Sequence, residues 1–371
     1  MEKEEQSGKV QTDTFLAQIG NHQNPVTGSI NTPIYFSTTY EHPTLGESTG
    51  YDYTRTKNPT REVVENALAV LENGAVGLVT SSGMSAIQLV FSQFPVGSQI
   101  VASRDLYGGS YRYFKELEKR GMYQFIYVDD ETAFETAVSD FTTAIFIETP
   151  TNPLMSEVSI EKIAVLAKRH EAQLIVDNTF YTPLIQRPLD LGADIVLHSA
   201  TKYLGGHNDL LAGAVITRSK ELGERLAFQL NTTGAVLSPF DSWLLIRGLK
   251  TLSLRMERHE KNAQAVTAYL ASCPYVKEVM YPGRGGMLSF KLKDASSIKA
   301  FLRHLSIFTF AESLGGVESL ITYPTTQTHA DIPKEVRESY GLTSDLLRIS
   351  TGIEASEDLI ADLTQAFEAL K

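Results

Sequence analysis

Lys202 has the most chemistry to offer of any residue in the chain, and it sits in the run ADIVLHSATKYLGG, residues 193–206. Ile195, Val196 and Leu197 make a short apolar run of the kind that builds a buried strand. Small hydroxyl residues, the lysine and a glycine pair follow. A loop lysine is ordinarily solvated. Lys202 instead follows a buried strand end, beside Ser199 and Thr201 and with no carboxylate next to it. Desolvation there removes the charge and leaves a nucleophilic or basic amine.

Four other stretches carry groups that can serve such an amine, and each also has a plain structural reading. SSGM at 81–84 is a tight turn between a strand and a helix; it exposes backbone N–H groups suited to a phosphate dianion. No G-x-G-x-x-G follows any strand, so it is not a dinucleotide fingerprint. LIVDNTF at 174–180 ends an apolar strand on Asp177. That carboxylate either caps a turn or faces a ligand at the strand's carboxyl end, where it can keep a pyridinium nitrogen protonated. In DLYGGSYRYF, 105–114, Tyr107 either packs or stacks on a flat ring. In LLRIS, 346–350, Arg348 interrupts an apolar strand and needs an anionic partner, internal or a bound carboxylate. His198 and His207 admit a metal site, but no second cluster of acids and histidines accompanies them.

Positioning these groups falls to a regular succession of elements. Residues 1 to about 14 read as an adaptable tail; from Phe15 to Tyr40 the pattern is irregular, ending in a short apolar-alternating piece, PIYFSTTY, and no periodicity follows until Arg61. After Pro59 a helix is expected, with Val63, Val64, Ala67, Leu68 and Leu71 on one face and Gly74 as its stop. Apolar strands at 76–80, 100–103, 125–128, 144–148, 174–177, 194–199 and 212–218 then alternate with helices. That pattern predicts an α/β domain with a mainly parallel sheet covered on both faces. From Pro239 to about Leu270 one long helix is expected, weakened only at Gly248. Strands at 276–281, 286–292, 308–313 and 345–350 and a closing helix capped by Ser356, burying Leu359, Ile360, Leu363 and Phe367, make a smaller α+β domain.

Composition narrows the function. The 371 residues exceed one ordinary core and suggest about two domains. A net charge of −11 argues against nucleic-acid or anionic-membrane partners. One cysteine, Cys273, rules out an internal disulfide and a multi-cysteine metal site. The polar N-terminus has no signal-peptide core, no run is long enough to span a membrane, and a cytoplasmic enzyme is expected.

From TPIYFSTTY to IEASEDL the chain resembles the trans-sulfuration enzymes of cysteine and methionine metabolism, which depend on pyridoxal 5'-phosphate (PLP). SATKYLGGH, LIVDNTF, YDYTRTKNPT and ETPTNP carry the likeness in order and spacing. The resemblance implies the aspartate-aminotransferase-like fold (fold type I), with a seven-stranded sheet in the large domain. It implies an arm over residues 1–57 on the neighbouring subunit, a PLP-binding α/β domain over 58–238 and a C-terminal α+β domain over 239–371. It also implies PLP held as an aldimine on Lys202, its nitrogen paired with Asp177 and its ring under Tyr107. Gly83, Met84, Ser199 and Thr201 would hold the phosphate, joined by Tyr53 and Arg55 from the adjacent subunit. Asn152 would touch the ring oxygen, and Ser313 and Arg348 would hold the substrate α-carboxylate.

KYLGGHNDLLAG and SLGGVESLITYPTTQTHADIP look most like bacterial cystathionine γ-synthases and O-acetylhomoserine thiolyases. Glu312 matches the glutamate of γ-synthases and γ-lyases, and Arg112 an arginine that meets the distal end of the substrate. Gly109 stands where methionine γ-lyases carry cysteine. The implied reaction replaces the acyl group of O-acylhomoserine, acetyl in the first instance, with cysteine to give cystathionine, or with sulfide to give homocysteine. The implied assembly is a homotetramer of two active dimers. Cystathionine γ- or β-lyase activity is the alternative within the family. A non-catalytic PLP-binding module or a metal hydrolase is the alternative outside it.

Overall fold

The computed structural model describes residues 10–22 and 24–370. The chain forms two compact units, one of residues up to 93 with 194–253, the other of 94–193 with 254 onward. Helices and strands are numbered in chain order. Seven strands make one sheet: β1 Val76–Thr80, β2 Ser98–Ser103, β3 Tyr123–Val128, β4 Thr142–Glu148, β5 Gln173–Asp177, β6 Ile195–His198 and β7 Gly213–Thr217. Their spatial order is β1-β7-β6-β5-β4-β2-β3.

In the second unit β2 to β5 pair in parallel. In the first, β7 runs antiparallel to both β1 and β6, so the sheet is mixed. Reversal follows from the connection: residues 199–212 contain no crossover helix, and a parallel neighbour would need one. The lysine segment is therefore the link between two antiparallel strands. Every residue of β7 is buried, as are Ile145, Phe146 and Ile147 of β4. Apolar residues fill both faces, so these strands show no polar alternation.

Three helices of the first unit matter to the site, and two depart from expectation. α1, Thr12–Gln18, lies where only a tail and unpatterned chain were expected. Leu16 and Ile19 bury its one apolar side, too short a signal for periodicity. The tail expectation for residues 1–9 lies outside the described residues. α2, Pro59–Leu71, is capped by Asn58, whose side chain accepts the N–H groups of Thr60 and Arg61. Its stop is Asn73, at φ 56°, rather than Gly74; the Gly74 N–H closes on Ala69 O at 2.8 Å. Asparagine tolerates the left-handed conformation well enough to end a helix. α3, Gly83–Phe91, follows β1 directly. Between α1 and α2 the chain is tied down at Thr32 O, which accepts from Trp243 Nε1, and at Tyr35, whose N–H bonds Thr60 Oγ1.

In place of the single long helix there are two, Pro239–Leu249 and Leu252–Ser272. They part at Lys250–Thr251, where Lys250 Nζ reaches Ala17 O and Asn21 Oδ1. Gly248 is needed for packing, since a Cβ there would lie 2.4 Å from Gly205 O.

In the second unit α4, Gly108–Lys119, follows β2. A second sheet has the order β10-β11-β12-β9-β8, formed by β8 Val276–Met280, β9 Met287–Leu292, β10 Thr309–Phe310, β11 Leu320–Thr322 and β12 Leu346–Ser350. β11 escapes notice in the sequence because it has only three residues, and β10 is shorter than expected. The closing helix, Ser356–Glu368, starts from Ala355, so Ser356 is its first residue and no cap. Ser356 Oγ bonds Glu357 instead. Leu359, Leu363 and Phe367 join Cys273, Phe290 and Phe301 in the core, while Ile360 is only partly buried.

Candidate active site

In the first unit, β6 delivers the lysine segment. His198, its last residue, sets Nε2 2.6 Å from Glu72 Oε1, and both side chains are fully buried. That pair pins the strand end to the C-terminus of α2. Beyond it the chain turns tightly: the Lys202 N–H bonds Ser199 O, and the Gly206 N–H bonds Lys202 O at 2.7 Å. Thr201 Oγ1 donates to Ala212 O at 3.1 Å and accepts the Ala212 N–H at 3.0 Å. Its proton is engaged in this rotamer, so a phosphate contact through Thr201 needs its hydroxyl to turn. Lys202 is half-buried. His207 Nδ1 lies 2.9 Å from Gly205 O.

Against this segment lies the start of α3. Ser82 caps the helix through the Ser85 N–H at 3.0 Å. The first-turn N–H groups of Gly83 and Met84 have no acceptor within a helix. A Cβ on Gly83 would lie 2.9 Å from Ser199 Cβ. Glycine thus lets the helix N-terminus close on Ser199, and Gly83, Met84 and Ser199 come together as expected. The helix N–H groups, the helix dipole and the Ser199 side chain meet there, a set that fits a phosphate dianion. Tyr53 and Arg55 share a separate surface patch. The Arg55 guanidinium lies 5.6 Å from the Tyr53 ring centre, and its Nη1 bonds Asn231 O.

In the second unit the carboxyl ends of the parallel strands carry the remaining groups. Tyr107 stands just past β2 and begins α4. The residue is 39% exposed. A Cβ on Gly109 would lie 2.4 Å from Tyr107 Cε1, so the ring folds over that glycine. Asp177 ends β5 directly beside Glu148, the last residue of β4. Asp177 Oδ1 accepts both the N–H and the hydroxyl of Thr179. Glu148 Oε2 accepts the Tyr107 N–H at 2.9 Å. Burial, reinforced by the charge of Asp177, holds the Glu148 carboxyl well above the usual carboxylate range and favours its neutral form. Asp105 is pushed up to about 7 by burial, against the opposing pull of Thr151 and the Leu154 N–H.

Arg348, in β12 and 1% exposed, donates Nη1 to Asn152 Oδ1 at 2.7 Å and Nη2 to Ser313 O at 2.9 Å. Ser313 and Arg348, the two residues expected at the substrate carboxylate, are therefore brought together, with Asn152 beside them. Ser313 holds φ 112°, a strained value for a side-chain-bearing residue. Glu312, beside it, is exposed. Arg112, on α4, sets Nη1 2.5 Å from Asp331 Oδ2.

Sequence reasoning passed over four of these groups. Glu148 ends an apolar strand just as Asp177 does, and that parallel could have found it. Asp105, His329 and Asp331 gave no signal. His329 is fully buried, with Nε2 3.1 Å from Leu106 O and 2.9 Å from Asn152 O, and Nδ1 2.8 Å from Thr328 Oγ1. Two carbonyls only accept, so Nε2 carries the proton. Burial, with the Arg348 charge second, brings the ring's pKa down to about 4 and keeps it neutral.

Comparison with known proteins adds names to this geometry. A family model described as "Cys/Met metabolism PLP-dependent enzyme" matches residues 13–368. The chain is 56% identical to a cystathionine gamma-synthase/O-acetylhomoserine (thiol)-lyase of Bacillus subtilis, covering 97% of both chains. It is 54% identical to a cystathionine gamma-synthase of Haemophilus influenzae, over 97% of this chain and 98% of that one. Relatives named cystathionine gamma-lyase and beta-lyase stand at 48% and 46%. Among solved structures, a cystathionine gamma synthase of Xanthomonas oryzae in complex with cystathionine superposes with a TM-score of 0.95 at 39% identity, over 97% of this chain and 98% of that one.

Proposed function

The chain belongs to the Cys/Met metabolism PLP-dependent enzymes, and from that we propose that it performs γ-replacement, exchanging the acyl group of an O-acylhomoserine for cysteine to give cystathionine. Sulfide in place of cysteine gives homocysteine. One observation carries the reading: the two relatives at 54–56% identity have γ-synthase in their names, while those named cystathionine lyases lie at 43–48%, alongside a further γ-synthase at 46%.

PLP supplies an electron sink for the pair left behind when a Cα proton is removed. The protein's groups do the rest. Lys202 Nζ would hold the cofactor and, as a free amine, would move protons at Cα and Cβ of the substrate. Asp177 keeps the ring nitrogen protonated. A neutral Glu148 beside it limits the strand ends to one negative charge and holds the Tyr107 backbone. Tyr107 stacks on the ring and Asn152 meets its oxygen. The N–H groups of Gly83 and Met84, with the hydroxyls of Ser199 and Thr201, hold the phosphate. Arg348 and Ser313 orient the substrate carboxylate, while Glu312 and Arg112 face its distal end. Tyr53 and Arg55 complete the phosphate site of an adjacent subunit, which makes the active unit a dimer; two such dimers form the proposed homotetramer. Among the described residues no helix is long and apolar enough to cross a membrane, and we place the enzyme in the cytoplasm. The organisation that goes with this reading is an arm over 1–57, a cofactor domain over 58–238 and a C-terminal domain over 239–371.

A product assay tests the reaction. The protein receives O-acetylhomoserine with cysteine in one tube and cystathionine alone in another. Cystathionine in the first tube, with little oxoacid in the second, is expected. Rapid 2-oxobutanoate in the second tube makes the protein a γ-lyase, and pyruvate with homocysteine makes it a β-lyase.

A further inference from the structure

We propose that Asp331 sets the charge met by the distal end of the substrate, selecting homoserine esters whose acyl group ends uncharged over those ending in a carboxylate. The inference rests on the γ-replacement reading and on Arg112 facing that end.

Arg112 Nη1 and Asp331 Oδ2 lie 2.5 Å apart, with both side chains more than half exposed. Exposed ion pairs usually contribute little, because two long side chains must be ordered and solvent screens the attraction. Here one partner is ordered in advance. Asp331 lies two residues after buried His329 and immediately before Ile332, which is 2% exposed. His329 is held by Thr328 Oγ1, Leu106 O and Asn152 O. The Ile332 N–H closes the turn on His329 O at 3.1 Å. Thr328 O presses on the start of α4 so closely that a Cβ on Gly108 would lie 2.0 Å from it. The turn that carries Asp331 is therefore clamped to the same helix that carries Arg112, and to the residue before Tyr107.

The guanidinium consequently presents little net positive charge. An acyl group ending in a carboxylate has to displace Asp331 or add a second negative charge beside the same cation, which is unfavourable. An acetyl group ends in a methyl and meets neither cost.

The test is kcat/KM for O-acetylhomoserine and for O-succinylhomoserine, each with saturating cysteine, in the wild type and in Asp331→Asn. The wild type is expected to prefer the acetyl ester. Asp331→Asn is expected to raise the succinyl-to-acetyl ratio by on the order of tenfold. Added salt is expected to shrink the wild-type preference, because the residues concerned are exposed. If both esters turn over and the ratio is unchanged in Asp331→Asn, the inference is overturned while γ-replacement stands. If neither ester turns over and cystathionine is cleaved, the reading and the inference fall together.

Discussion

Glu148 and Asp177 end neighbouring parallel strands, and two carboxyls so placed do not both ionise without large cost. Glu148 is the one displaced towards neutrality, and it accepts the backbone N–H of Tyr107. The Tyr107 backbone is thereby held by a group that adds no second negative charge beside Asp177. Asp105, raised to about 7, lies in the same region and has a measurable consequence for stability. The folded state binds its proton more tightly than the unfolded chain does. The stability this contributes is complete below pH 3.8 and is lost as pH rises through about 7. Asp105→Asn removes that loss. Thermal melts should show the variant gaining on the wild type by a few degrees more at pH 8 than at pH 5. An equal difference at both pH values would mean that Asp105 titrates normally.

At the scale of elements, the approach of α3 to the lysine segment depends on having no side chain at position 83. Gly83→Ala places a methyl 2.9 Å from Ser199 Cβ and 3.1 Å from Ser199 Cα, and one of the two backbones must give way. The PLP dissociation constant, measured by titrating the apoprotein, should rise about tenfold, the equivalent of one good charge-assisted hydrogen bond. The cradle itself was legible in the sequence, because a strand, a small-residue turn and a helix follow one another within sixteen residues. So were Lys202 and Asp177, which stand at the ends of apolar runs. What could not be read depends on contacts distant in sequence. His329 bonds a carbonyl 223 residues away, and nothing near THADIP announces it. The helix break at Lys250 answers to groups at Ala17 and Asn21, more than 225 residues back. Short elements such as α1 and β11 have too few residues for either period to register.

Across the whole molecule, the N-terminal stretch raises the question of what covers it. Val26 is 91% exposed, Phe36 68% and Leu45 100%. A neighbouring subunit would cover it, and exchange of subunits tests this. Arg55→Ala and Lys202→Ala are each expected to be inactive alone. After unfolding and refolding together, about a quarter of the sites should regain function, because half the dimers are mixed and each mixed dimer has one intact site. If the mixture stays inactive, Arg55 serves its own chain. A different consequence follows from Cys273, which is 8% exposed inside the core of the second unit. A protein proposed to handle thiols all day carries its only sulfhydryl out of their reach. Thiol–disulfide exchange with the oxidised, disulfide form of its substrate has no foothold on the native surface. In a turnover mixture a colorimetric thiol reagent therefore counts the small molecules alone, and any further thiol that reacts, one per chain, reports a protein that has come undone.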